Sequence, residues 1–202
     1  MSTLDWPALR AFGAARFSFG ASTPKSAFAG FFDGQVQSIS HLADRLRCTV
    51  SMTACNAADG ATREAFFMEM ASAGHWVRLS HLQRSEPRGS LRGSPTVASS
   101  GTAGTRTLLV QTVPGVTLVA GDALGAASGQ LLLTGYAGGT ANGSGVLSLP
   151  LVLPLRASLG AGTSLTWAAP TAIFQIDTDV TQFTYGRRAW QHPLELQFSE
   201  VF

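Results

Sequence analysis

Five short apolar stretches, TRTLLVQ, VTLVAGDAL, GQLLLTGYA, GVLSLPLVL and TSLTWAA, follow one another between residues 105 and 169 with glycines between them. Each is too short to bury the face of a helix. Strands of this length, repeating at short intervals, predict a small all-β barrel or sandwich. Directly upstream, residues 83–104 read QRSEPRGSLRGSPTVASSGTAG. That concentration of Ser, Gly, Pro and Arg is the composition of a crossing linker.

The chain before this break has a different pattern. Residues 45–52, RLRCTVSM, alternate cleanly: Leu46, Cys48, Val50 and Met52 share one face, and Arg47, Thr49 and Ser51 the other. A strand over QVQSISHLA, with a slip in phase between Val36 and Ile39, is expected to join it as a hairpin turning near Asp44. A helix is predicted over about 60–73, capped by Asp59 or Thr62, with Phe66, Phe67, Met70 and Ala73 inward and Gly74 as its left-handed stop. His75 to Leu82 alternates again, with Val77, Leu79 and His81 on one side. Beyond Pro170, AIFQID and LELQFSEVF alternate, and Thr181–Tyr185 is a further candidate strand. These last strands are expected to return to the first sheet.

The resulting expectation is a mainly β, α+β fold. An antiparallel sheet or sandwich domain with one packed helix (1–88 plus 171–202, with an N-terminal arm) is interrupted by an inserted small β-barrel or sandwich (89–170).

Charged residues make up 13% of the 202 residues, against roughly 25% in an average soluble protein. So little charge is suited to a surface that is largely covered in an assembly. The 14 Lys+Arg against 12 Asp+Glu, with Lys25 the single lysine, give no clustered basic face, so no nucleic-acid partner is expected. Arg78 to Arg92, the densest basic stretch, reads as a solvated loop. MSTLDWPALR has neither the basic start nor the apolar run of a signal peptide. The most apolar segment, Val146 to Leu155, is shorter than a membrane span and is broken by Pro150 and Pro154. A chain made in the cytoplasm, without membrane insertion, is expected. Cys48 and Cys55, seven apart in a strand-like stretch, are expected as partly buried thiols rather than a disulfide.

Several patterns bear on chemistry. The loop GYAGGTANGSG lacks the Lys and the helix start of a phosphate cradle. It reads instead as a hairpin tip between 131–134 and 146–149, turning at Asn142-Gly143. His41, His75, His81 and His192 lack chelating spacing, and a zinc site with Cys48 and Cys55 needs the fold to assemble it. Asp177 and Asp179 are the nearest thing to a carboxylate pair, and Gly121-Asp122 reads as a turn rather than a calcium ligand. No nucleophile, acid pair or metal set emerges, and no cofactor is expected.

Trp6, Phe12, Phe17, Phe19, Phe28, Phe31 and Phe32 crowd the first thirty-two residues without a helical or strand period. Either they pack on the domain's own core, or they dock an arm on a neighbouring subunit, where aromatic anchors carry much of the interface energy. On the insertion, Tyr136 and Trp167 are the aromatics placed to meet a ligand.

Three stretches carry a resemblance: GQVQSISHLADRLRCTVSMTACNAADGATREAFFMEM, EPRGSLRGSPTV, and LVAGDALGAASG through to AAPTAIFQI. Together they span most of residues 30–176, and their order resembles the tail-tip proteins of tailed bacteriophages, of the distal-tail or baseplate-ring type. The resemblance implies a non-enzymatic virion protein that assembles with itself into a ring, six-fold in the family. It further implies that the ring joins the tail tube to the tail-tip hub, with other baseplate or fibre proteins as partners. A carbohydrate- or receptor-binding module that uses the inserted domain is the alternative.

Overall fold

A computed structural model describes residues 2–8, 12, 14–22, 25–29, 36–40, 44–82, 84–177, 183–186 and 193–201. In chain order the elements are β1 (Thr3–Asp5), β2 (Ala14–Ser22), β3 (Lys25–Ala29), β4 (Val36–Ser40), β5 (Arg45–Met52), α1 (Ala57–Ala73) and β6 (Trp76–Ser80). Then follow β7 (Thr96–Val97), β8 (Thr107–Gln111), β9 (Thr117–Leu118), β10 (Ala123–Ala126), β11 (Leu131–Leu133), β12 (Gly139–Thr140), β13 (Val146–Pro150), β14 (Leu165–Thr166), β15 (Thr171–Ile176) and β16 (Leu194–Glu200). The protein is mainly β, with antiparallel pairing dominant and one helix among the described residues.

The largest sheet runs β1-β6-β15-β16-β5-β2, antiparallel throughout except for the parallel pair β1–β6. β5 sits where its alternation predicts: Leu46, Cys48, Val50 and Met52 are buried, and Arg47 faces water. The late strands do return, since β15 pairs with β6 and β16 with β5. Residues 183–186 carry no strand, and 181–182 of the further candidate lie outside the described residues.

One expected pairing fails in this half. The β4–β5 hairpin does not exist: β4 pairs with β3, while both edges of β5 are taken by β2 and β16. The aperiodic start of the chain, an arm or an edge segment by its sequence, includes an edge strand. β2 is a nine-residue edge strand whose RFSFGAS alternates once a register shift between Ala14 and Arg16 is passed. That bulge adds a residue and breaks the period on which sequence reading depends.

The helix starts earlier than expected. Asn56, not Asp59 or Thr62, is the N-cap, and its side chain accepts from the Asp59 N–H at 2.9 Å. Thr62 instead donates to the Ala58 carbonyl at 3.0 Å. Gly74 ends the helix as predicted, left-handed at φ 60°, ψ 39°. Phe67 and Met70 are buried against the sheet and Phe66 is half-buried, while Arg63 turns inward to donate to the Thr53 carbonyl at 2.7 Å.

Residues 91–165 surround a second apolar cluster, which includes Leu91, Val97, Leu108, Val110, Leu118, Leu124, Leu132, Leu147, Leu149 and Leu165. β11 lies between the two clusters: Leu131 belongs to the first and Leu132 to the second, as successive strand residues must point to opposite sides. Residues 84–104 are built into this half rather than crossing it as a linker. Leu91 is fully buried, β7 pairs with β8, and the Gly101 N–H donates to the Leu159 carbonyl at 2.9 Å.

The glycine loop is a turn, but not the expected hairpin. β11 pairs with β10, and β13 pairs with β8. Between them, β12 pairs with β9, and Thr134 bridges Leu151. The positive φ values fall at Gly138 and Gly145, not at Asn142-Gly143. Asn142 shapes the turn through its side chain, which accepts from the Ser144 and Val146 N–H groups at 3.0 and 2.9 Å. A Cβ at Gly145 would lie 2.2 Å from the Thr112 carbonyl oxygen at φ +77°, whereas one at Gly143 meets nothing within 4 Å. Gly145→Ala is therefore expected to cost at least about 1–2 kcal/mol of stability, and Gly143→Ala to change it by less than about 1 kcal/mol. Paired urea titrations check both.

Candidate functional site

Among the described side chains, Trp6, Phe12, Phe17 and Phe19 pack inside the protomer. Trp6 is placed by β1, where its N–H donates to the Arg78 carbonyl at 3.1 Å. Its ring stands edge-on to Phe12 at 5.7 Å, Phe66 at 6.2 Å and Phe198 at 5.9 Å between centroids. Phe12 is 2% exposed and stacks edge-on against Phe66 at 5.1 Å. These contacts tie the first residues to α1 and β16, and edge-to-face pairs of this kind add to plain burial. Phe28 falls on β3 opposite Gln37, and Phe31 and Phe32 lie outside the described residues.

Phe17 and Phe19 project from β2 to the core side. There they meet His81, just past β6, at 4.9 and 5.1 Å. β2 and β6 are separated by β15, β16 and β5 in the sheet order, so these contacts require the sheet to curl strongly around its core. His81 is buried, and its Nε2 accepts from the Arg84 guanidinium at 3.0 and 3.2 Å. Burial, aided by the adjacent Arg84 charge, holds this imidazole below its ordinary value of 6.5. The sign follows: the unfolded chain takes up the proton more readily, so the stability carried by neutral His81 is present above 6.5 and is lost as pH falls below it. Melting temperature is expected to drop between about pH 7 and pH 5, and His81→Gln to flatten that part of the profile.

Several other titratable groups are held as structure. Asp122 is buried, and its carboxylate accepts from the backbone N–H groups of Arg88 at 2.9 Å, Gly89 at 3.0 Å and Val119 at 2.8 Å. Gly121-Asp122 thus makes its turn and also clamps the start of the second half. Asp177 accepts from the Ser199 hydroxyl, while Asp179, His41 and His192 lie outside the described residues. His75 shares a 2.6 Å hydrogen bond with Ser2. Neither Cys48 nor Cys55 is in a disulfide, and burial, then the Asp177 charge, pushes the Cys48 thiol up to about 12, so it is not a ready nucleophile. Among the described residues no three His, Cys, Asp or Glu side chains gather as a metal site.

The two aromatics of the second half differ. Tyr136 is 97% exposed on the turn after β11. Trp167 is half-buried: its indole N–H donates to the Gly93 carbonyl at 2.8 Å, and Arg92 lies 4.9 Å over its ring. Trp167 thus supports the start of the second half, and Tyr136 is the side chain left to the solvent.

A polar face escaped sequence reading. The side of the largest sheet turned away from the core carries Arg45, Arg47, Gln175, Asp177, Gln197 and Ser199 around a groove of about 440 Å³. A second groove of about 270 Å³, over Ser18, Gly20, Ser22 and Thr49, adjoins it at Arg47. The alternation of β5 placed Arg47 on this side, but only the pairing β2-β5-β16-β15 brings the other residues beside it. No protein-family model matches the chain, and no curated protein matches it.

Proposed function

We propose that the protein is a structural subunit of a bacteriophage tail tip, whose copies close into a ring between tail tube and baseplate hub. The observation that supports this reading is the pairing of β15 with β6. The chain leaves the first sheet after β6, builds a second apolar cluster, and re-enters the sheet alongside the strand it left. That is the arrangement the resemblance implies, with residues 89–170 as an insertion in a domain formed by 1–88 and 171–202. The sparse charge, 13% of residues, fits a protomer whose surface is covered by neighbours. Native mass measurement and negative-stain microscopy of the purified chain test the reading. A ring of fixed subunit number is expected, and a monomer that binds glycans overturns it.

A second reading, a carbohydrate- or receptor-binding module, draws on Tyr136, held out on a turn and almost wholly exposed. It predicts that Tyr136→Ala abolishes retention on host-surface glycans, measured on a glycan array, without altering oligomeric mass.

A further inference from the structure

We propose that the ring contact is heterologous: the outer face of α1 in one copy seats in the polar trough on the outer face of the largest sheet in the next. This rests on the ring reading above and specifies the surfaces that make it.

The two surfaces are chemically complementary. On α1, Ala61, Ala65 and Met68 are exposed and form one stripe, Met68 at 46%. Glu64 and Glu69 flank that stripe on either side, by the 3.6-residue period. The helix's one basic residue, Arg63, is withdrawn into the core, where it holds the Thr53 carbonyl. What remains outside is a small apolar centre with an acidic rim, on which one Glu64 oxygen accepts the Tyr185 hydroxyl at 2.6 Å and the other oxygen and Glu69 add charge, the anatomy of an interface patch.

The sheet offers the converse. Arg45 and Arg47 stand two apart on β5, so they share the outer face, about 7 Å from each other along the strand. Among the described residues, neither guanidinium has an ion pair or hydrogen bond. The floor beside them is made of small residues: Ser18, Gly20 and Ser22 on β2 and Thr49 on β5. A Cβ on Gly20 would meet nothing within 4 Å, so the space over it is open to a side chain such as Met68. Arginine forks match carboxylates in pairs, which gives the contact register as well as attraction.

Position completes the case. β5 sends Leu46, Cys48, Val50 and Met52 into the same cluster that receives Phe67 and Met70 from α1. The outer faces of helix and sheet therefore look away from one core in opposite directions. Two different patches on separate sides of a protomer are what a head-to-tail contact requires, and such contacts form a ring where the rotation from copy to copy closes and an open filament where it does not.

A charge-swap series tests this on the full chain. Arg45→Glu with Arg47→Glu, and separately Glu64→Arg with Glu69→Arg, are each expected to reduce the native mass from ring to monomer. All four substitutions together are expected to restore the ring. Gly20→Tyr, which fills the trough without changing charge, is expected to disperse it too, and it decides the matter if a reversal variant fails to fold by circular dichroism. Rings that survive these variants, or a fourfold variant that stays dispersed, overturn the proposed contact and give that face to another component or to solvent. A parent chain that is itself monomeric overturns the ring reading as well.

Discussion

Glu200→Gln is expected to destabilise the fold by about 3–5 kcal/mol, because it strands a buried arginine. Glu200 lies on β16, and its carboxylate forms an ion pair with Arg156, a residue of the second half. The two side chains are 0% and 2% exposed. The second carboxylate oxygen accepts from the Leu46 N–H at 3.0 Å, and Arg156 also donates to the Leu131 carbonyl at 2.8 Å. The pair thus joins β5, β16 and β11 across the boundary between the two apolar clusters. Glutamine keeps the shape and an acceptor for Leu46 but removes the charge that compensates Arg156. Combining Glu200→Gln with Arg156→Met removes the stranded charge, leaving the Leu131 carbonyl as the main loss, and is expected to recover more than half of the stability. Urea titration of the three variants checks the sign: if the double variant is less stable than Glu200→Gln, the ion pair is not the origin of the loss.

Asp122→Ala carries the second large effect. Three backbone N–H groups converge on this buried carboxylate, and alanine leaves all three without their acceptor. Hydrogen bonds to a charged group contribute about 1.5–3 kcal/mol each. They share one acceptor, so their losses do not add, and about 3 kcal/mol in total is expected. Asp122→Asn, which retains one acceptor oxygen, falls between the two. The damage has a distinct local signature. Arg88 and Arg92 lie on the clamped segment, and Gly89 packs so closely that a Cβ there would sit 2.2 Å from the Thr117 carbonyl oxygen. Once released, the segment is expected to become a trypsin site. Limited proteolysis of Asp122→Ala should cut after Arg88 or Arg92 under conditions that leave the parent intact.

Both effects come from polar groups whose partners are distant in the chain: Asp122 is legible as part of a turn, but not as a clamp on Arg88 and Gly89. Nothing in the sequence pattern marks Glu200 and Arg156 as partners. A period of two reports which face a residue occupies, not which residue of a distant strand stands opposite. The same limit explains the strand pairings. The members of the β4–β5 hairpin were each identified correctly as strands, but their partners were not, because β2 and β16 compete for the edges of β5. Asn56 could have been found as the cap: Asn is among the strongest N-cap residues, and it stands directly before the helical pattern.

The sequence by itself determined the mainly β character, the alternating faces of β5 and β6, and the helix with its Gly74 stop. These follow from local periodicity and from the left-handed conformation that glycine alone adopts freely. Only the tertiary structure decided the sheet order, the curl that brings Phe17 and Phe19 onto His81, and the inward use of Trp6 and Phe12. It alone placed the Arg156–Glu200 pair between the two clusters and turned the acidic helix face and the arginine trough away from each other. Those features depend on contacts between residues far apart in the chain, such as Trp6 with Phe198 and Leu46 with Glu200, and no local pattern encodes which of many compatible partners wins the burial and hydrogen bonding available.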